Sequence, residues 1–123
     1  CYEDWNVYAF MEILAVTKVH VLLIPNKHVE TIYDFSEEDA SRFFAAVPKI
    51  ANVLKEEFKP AGMNLLNNNG AAAGQEVFHF HLHFIPRYDE KDGIQMAFET
   101  NESESKTERI QKVASALKDR LTD

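Results

Sequence analysis

Apolar residues along this chain recur with two different periods, and the change of period marks out its elements. Val7-Tyr8-Ala9-Phe10-Met11-Glu12-Ile13 is rich in aromatic and β-branched side chains and reads as a strand. His20-Val21-Leu22-Leu23-Ile24-Pro25 is a short apolar run ended by proline, the mark of a buried strand entering a loop. A helical period then takes over. Ser36 is placed to cap a helix whose first turn carries Glu37, Glu38 and Asp39, acids favoured at the positive end of the helix dipole. Ala40, Phe43, Phe44, Val47, Ile50, Ala51, Leu54 and Phe58 follow on one stripe. Pro48 interrupts that stripe and predicts a kink or a break, because it brings no N–H to the helical ladder. Lys59-Pro60-Ala61-Gly62 ends the helix.

Met63-Asn64-Leu65-Leu66-Asn67 predicts a further strand, and residues 67–75, made of Asn, Gly, Ala and Gln, predict a loop. Val77 to Pro86 reads as a strand, and from Phe78 to Phe84 apolar and polar residues alternate strictly, which gives it two unlike faces. Asp89-Glu90-Lys91-Asp92-Gly93 reads as a polar turn. Ser105-Lys106-Thr107-Glu108 has the form of a capping box, opening a last helix with Ile110, Val113, Ala114, Leu117 and Leu121 on one face. Strands interleaved with two long helices, joined by hairpin-like connections, predict an α+β fold with an antiparallel sheet. At 123 residues, without internal repeat or linker, the chain is expected to be one domain spanning 1–123.

Composition narrows the partners. The formal net charge of −7 argues against duplex nucleic acid, which demands many phosphate-neutralising Lys and Arg. No apolar run approaches membrane-spanning length, and no signal peptide opens the chain, so a membrane partner is not expected. The single cysteine, Cys1, cannot form an intrachain disulfide, and a reducing, cytoplasmic setting follows as the expectation. The chain does not begin with Met, which suggests a trimmed version of a longer protein.

The chemistry is concentrated in His79-Phe80-His81-Leu82-His83-Phe84-Ile85-Pro86-Arg87. On a strand, His79, His81 and His83 project from one face, while Phe78, Phe80, Leu82 and Phe84 project from the other toward the core. A lone histidine is usually a structural or surface residue. Three at strict period two, backed by an apolar face, point to a site. Imidazoles so arranged serve nucleophilic chemistry or hold a metal. The metal reading is short of ligands, since Cys1 is terminal and no Cys-x-x-Cys is present.

Gly74-Gln75-Glu76-Val77-Phe78-His79-Phe80-His81-Leu82-His83 resembles the signature of the histidine triad (HIT) family of nucleotide-binding proteins, most nearly its bacterial Hit-like branch. The resemblance extends through Ala9–Ile13, His20–His28, Leu66–Gly70 and Ile85–Tyr88. It implies a homodimer in which two five-stranded antiparallel sheets join into one of ten strands. It implies purine nucleotide (AMP-like) ligands, cleavage between an adenosine α-phosphate and its leaving group, and no required cofactor. Substrates of the family include phosphoramidates, adenylates and dinucleoside polyphosphates.

By the same resemblance His81 is the nucleophile that forms a covalent nucleotidyl-imidazole, and His83 touches the phosphate. His79 and His20 support the nucleophile. Asn68, Gly74, Gln75 and Glu76 fall on the phosphate side, Glu12 and Ile13 on the nucleoside side. The Asn68 amide and the Gly74-Gln75 backbone are expected to donate to the phosphoryl oxygens. His28 and His79 would join a structural zinc only if a Cys pair preceded this chain, in an N-terminal segment of the family that is expected to be missing from it. The sequence departs from the family at Glu76, usually Ser or Thr, and at Glu12, usually Asp. The Glu76 carboxylate is expected to turn away from the phosphate while its backbone N–H serves it. The alternatives are a nucleotide-binding regulatory protein with little turnover and a His-rich metal hydrolase.

Overall fold

The structure, a computed structural model, describes residues 2–4, 7–11, 19–89, 97 and 107–121. Strands β1 (Tyr2–Asp4), β2 (Val7–Met11) and β3 (Val21–Pro25) precede helix α1 (Glu37–Phe58). Strand β4 (Gly62–Leu66), strand β5 (Leu82–Arg87) and helix α2 (Thr107–Leu121) follow. Single 3-10 turns occupy Ile32–Asp34 and Ala71–Ala73. The strands form one sheet in the order β1-β2-β3-β5-β4. Every pairing is antiparallel. The histidine-bearing strand therefore lies inside the sheet, held on both edges by β3 and β4. Strand β1 has no counterpart in the periodicity reading, because three residues carry too short a pattern.

Register decides which side chains share a face. His83 pairs with Leu22 on β3 and Leu66 on β4, and Phe84 pairs with Val21 and Leu65. The Phe84 face packs against α1. Its core holds Val21, Leu23, Leu82 and Phe84 from the sheet, with Phe43, Ala46, Ile50 and Leu54 from the helix. Phe35, Phe43 and Phe80 meet edge to face, with Phe80 4.8 Å from Phe35 and 5.2 Å from Phe43 between ring centroids. Such contacts add to the stabilisation that burial of their area already gives.

The start of α1 follows the sequence expectation. The Ser36 hydroxyl accepts from the Asp39 N–H at 3.1 Å, and Lys27 reaches Asp39 at 2.9 Å. The Lys27 ammonium holds the Asp39 carboxyl below the usual carboxylate range. Pro48 does not break α1, which runs unbroken for 22 residues. The buried residues lie on both sides of the proline, so packing against the sheet holds the two halves in line despite the lost N–H donor. The helix closes at Lys59, a non-glycine residue in the left-handed region whose N–H bonds the Lys55 carbonyl.

The expected strand from Val77 is shorter in the structure and starts at Leu82. Residues 79–84 nevertheless keep their alternation, half-buried His against buried Phe or Leu. The Phe80 N–H anchors this stretch to the Val29 carbonyl, outside the sheet ladder. Phe78 departs from the core face and stands 48% exposed, because the chain bends through residues 77–79 before the alternation sets in. The end of the first expected strand at Glu12-Ile13, most of the polar turn (90–93) and the Ser105-Lys106 start of the last helix lie outside the described residues.

The two phenylalanines give a direct test of this packing. Phe80→Ala is expected to lower unfolding free energy by about 3–5 kcal/mol, as removal of a fully buried ring does. Phe78→Ala is expected to change it by less than about 1 kcal/mol, the range of surface substitutions. Urea unfolding of both variants measures the contrast.

Candidate active site

Two half-buried imidazoles, His81 and His83, and the buried His20 meet beside the β3–β5 seam. His20 is 4% exposed, and its Nε2 lies 2.9 Å from Nδ1 of His83. Two ring nitrogens at that distance can share only one proton, so one donates and the other offers a lone pair. His83 in turn stands edge-on to His81, with ring centroids 5.0 Å apart. His20, His83 and His81 thus form a continuous row. Val19, just before His20, holds φ of 64°, a left-handed conformation that costs a β-branched residue energy. It turns the chain immediately ahead of β3, where His20 is delivered to His83.

His81 is held through its own backbone and ring. Its Nδ1 lies 2.8 Å from the His79 carbonyl oxygen. A carbonyl only accepts, so Nδ1 carries the proton, and in the neutral ring the lone pair sits on Nε2. The Asn67 side-chain amide donates to the His81 carbonyl at 3.0 Å. Asn69 donates to Asn67 Oδ1 at 2.6 Å and accepts from the Ile32 N–H at 2.7 Å. The backbone at His81 is therefore tied through two asparagines to the 3-10 turn after β3.

His79 departs from its expected part. Its carbonyl, not its ring, orients His81. The ring Nε2 donates to the Pro25 carbonyl at 3.0 Å and packs edge-on against His28, at 5.5 Å between centroids. Two histidines are short of the four ligands of a structural zinc. Among the described residues no group of three or more His, Cys, Asp or Glu side chains is placed to hold a metal ion.

The loop between β4 and β5 is wound tightly. Gly70 has φ of 93° and Gly74 φ of 89°, conformations that side chains rarely adopt. The Gly74 N–H donates to the Ala71 carbonyl and the Gln75 N–H to the Gly70 carbonyl. These two donors, expected to face the phosphate, are thus engaged inside the turn. Asn68, half-buried, leans on the Gly74 carbonyl at 3.5 Å, and Glu76 is exposed. Glu12 and Ile13 lie outside the described residues.

Gln75 is the second departure. Its side chain is 4% exposed, and its amide closes the loop rather than facing a ligand. Its Oε1 accepts from the Gly70 N–H at 2.7 Å. Its Nε2 donates to the Glu30 carbonyl at 2.7 Å and the Val77 carbonyl at 3.1 Å. Asn67, Asn69 and Gln75 are polar residues in a polar loop, and nothing in sequence spacing separates a clamp from a turn residue. Gln75→Glu replaces the two-proton donor with an oxygen facing two carbonyls. It is expected to cost about 2–4 kcal/mol, the sum of two lost buried bonds. Faster hydrogen exchange at the Gly70 amide, together with a lower urea midpoint, checks it.

Comparison with known proteins fits this geometry. The HIT domain family model matches residues 1–90. Protein hit of Bacillus subtilis is 48% identical over 120 residues, spanning 98% of this chain and 83% of its own. A crystal structure of a member of the HIT family from Bacillus subtilis superposes with a TM-score of 0.90, covering 98% of this chain and 86% of that one. Adenosine 5'-monophosphoramidase HNT1 of Candida albicans is 36% identical over 96 residues, 75% of this chain and 63% of its own. With three histidines alternating into the start of β5, a buried fourth at His20 and a family match over most of its length, this chain belongs to the HIT family.

Proposed function

We propose that the chain is a purine nucleotide hydrolase or transferase in which His81 Nε2 attacks the α-phosphate. The observation that carries this reading is the 2.8 Å bond from His81 Nδ1 to the His79 carbonyl, which leaves Nε2 as the nucleophilic nitrogen. The relative named as an adenosine 5'-monophosphoramidase supports the substrate class, a phosphoramidate, adenylate or dinucleoside polyphosphate.

In the first step the Nε2 lone pair forms a bond to phosphorus. The bond from phosphorus to the leaving nitrogen or oxygen breaks, and the departing group keeps that electron pair and takes a proton from solvent. The imidazole, now substituted on Nε2 and protonated on Nδ1, becomes cationic, and its bond to the His79 carbonyl strengthens as that charge develops. Water then attacks phosphorus and gives up a proton to solvent, the Nε2–P bond breaks with its electrons returning to the ring, and the nucleoside monophosphate leaves. His83, the Asn68 amide and the Glu76 N–H are the groups proposed to meet the phosphoryl oxygens, and Glu12 with Ile13 the nucleoside. No step is assigned to a metal.

The same reading extends to assembly. β4 ends the sheet order and carries Leu65 at 49% and Leu66 at 37% exposure. An apolar strand edge of this kind favours pairing with another copy, which would continue the sheet across a homodimer. No described helix is long and apolar enough to cross a membrane. A cytoplasmic enzyme is the proposed setting.

His81→Ala is expected to lower kcat/KM on adenosine 5'-phosphoramidate by roughly a thousandfold or more, about 4 kcal/mol of transition-state stabilisation. AMP binding is expected to change only a few-fold. Steady-state kinetics and calorimetric titration check the two halves, and turnover near the wild-type rate would refute His81 as nucleophile.

A further inference from the structure

The strand ladders stop just short of His81. Pairing with β3 ends at Leu82, opposite Leu23, and pairing with β4 ends at His83, opposite Leu66. Asn67 is the first residue beyond β4, and its side chain, not a strand N–H, meets the His81 carbonyl at 3.0 Å. His81 is thus bracketed by two contacts outside the ladders, its ring on the His79 carbonyl and its own carbonyl on the Asn67 amide.

The relay behind that amide runs in one direction. At one end the Ile32 N–H can only donate, and at the other the His81 carbonyl can only accept. Between them Asn69 accepts through Oδ1 at 2.7 Å and donates through Nδ2 to Asn67 Oδ1 at 2.6 Å. Asn67 is left with Nδ2 toward His81. Each bond polarises the next in the same sense. Both asparagines are half-buried, so water can replace either amide in holding the loop. Water brings no fixed direction, and direction is what the relay adds. The carbonyl that Asn67 holds belongs to the residue that bears the ring, and the Nδ1 bond to a carbonyl two residues back lasts only while that stretch keeps its curvature.

We propose that Asn67 is a positioning residue for attack by His81, its amide fixing the main chain so that Nδ1 stays on the His79 carbonyl and Nε2 faces the phosphate, with Asn69 acting through it. The role rests on the reading of His81 as nucleophile. Neither Asn67 nor Asn69 is among the groups proposed to meet the nucleotide, so their loss falls on kcat rather than KM. A reacting atom displaced by about 1 Å can cost about a hundredfold in rate.

The test compares Asn67→Ala, Asn69→Ala and the double variant with the wild type on adenosine 5'-phosphoramidate. Asn67→Ala is expected to lower kcat by about ten- to a hundredfold, with the urea midpoint close to that of the wild type. KM is expected to stay within about threefold. Asn69→Ala is expected to lower kcat less, and the double variant to match Asn67→Ala, because Asn69 has no other route to His81 in this relay. Ring-nitrogen NMR of 15N-labelled Asn67→Ala is expected to show His81 exchanging its single Nδ1-protonated form for a mixture of tautomers. A kcat for Asn67→Ala within about twofold of the wild type would overturn the proposal. So would losses that multiply in the double variant, or a fall in kcat that follows a lowered urea midpoint while the His81 ring signals stay unchanged. A wild type without turnover would sink the hydrolase reading alone. The His81 ring signals of Asn67→Ala would then decide the positioning role, and unchanged signals would overturn it.

Discussion

The bond from His81 Nδ1 to the His79 carbonyl is the contact around which the site is built, because it settles which nitrogen of the His81 ring carries the proton and which is free. A ring this close to a main-chain acceptor keeps its proton there, and the choice is made by backbone geometry rather than by a movable side chain. That geometry needs an extended chain through residues 79–83. Phe80 supplies the anchor on one side, buried among Phe35 and Phe43, with its N–H on the Val29 carbonyl. Asn67 supplies it on the other, at the His81 carbonyl. The aromatic core beneath the sheet and the asparagine loop beside it thus act on the same backbone segment.

The β4–β5 loop is held by its own polar groups, and this narrows the ways it can meet a phosphate. Turn formation uses the N–H groups of Gly74 and Gln75, and loop closure uses the Gln75 amide. A loop held in this way loses little freedom when a ligand arrives. The exposed position of Glu76 keeps its carboxylate clear of the buried contacts that shape the loop.

Much of this was legible from the residues. Alternation placed His79, His81 and His83 together, and the cap at Ser36 and the end of α1 at Lys59 follow from local chemistry that tertiary packing did not override. Three features were not legible. Pro48 signals a break by its chemistry alone, but buried residues on both sides held α1 continuous. Phe78 fits the period of the core face, yet a bend at residues 77–79 removes it, and a bend leaves no mark on period two. The duties of Asn67, Asn69 and Gln75 depend on which distant carbonyls and amides the fold brings to them. Among these partners, Ile32 is 37 and Glu30 is 45 residues away in sequence, and the His81 carbonyl that Asn67 meets is 14 away.

Ring-nitrogen NMR of the 15N-labelled chain near pH 7.5 reads the tautomer of His81 directly, with His81→Ala to assign the signals. A protonated Nδ1 paired with an unprotonated Nε2 on His81 is the result the structure predicts. A proton on Nε2 with a bare Nδ1 would leave nothing to donate to the His79 carbonyl and no lone pair on the nitrogen proposed to attack, and would contradict it.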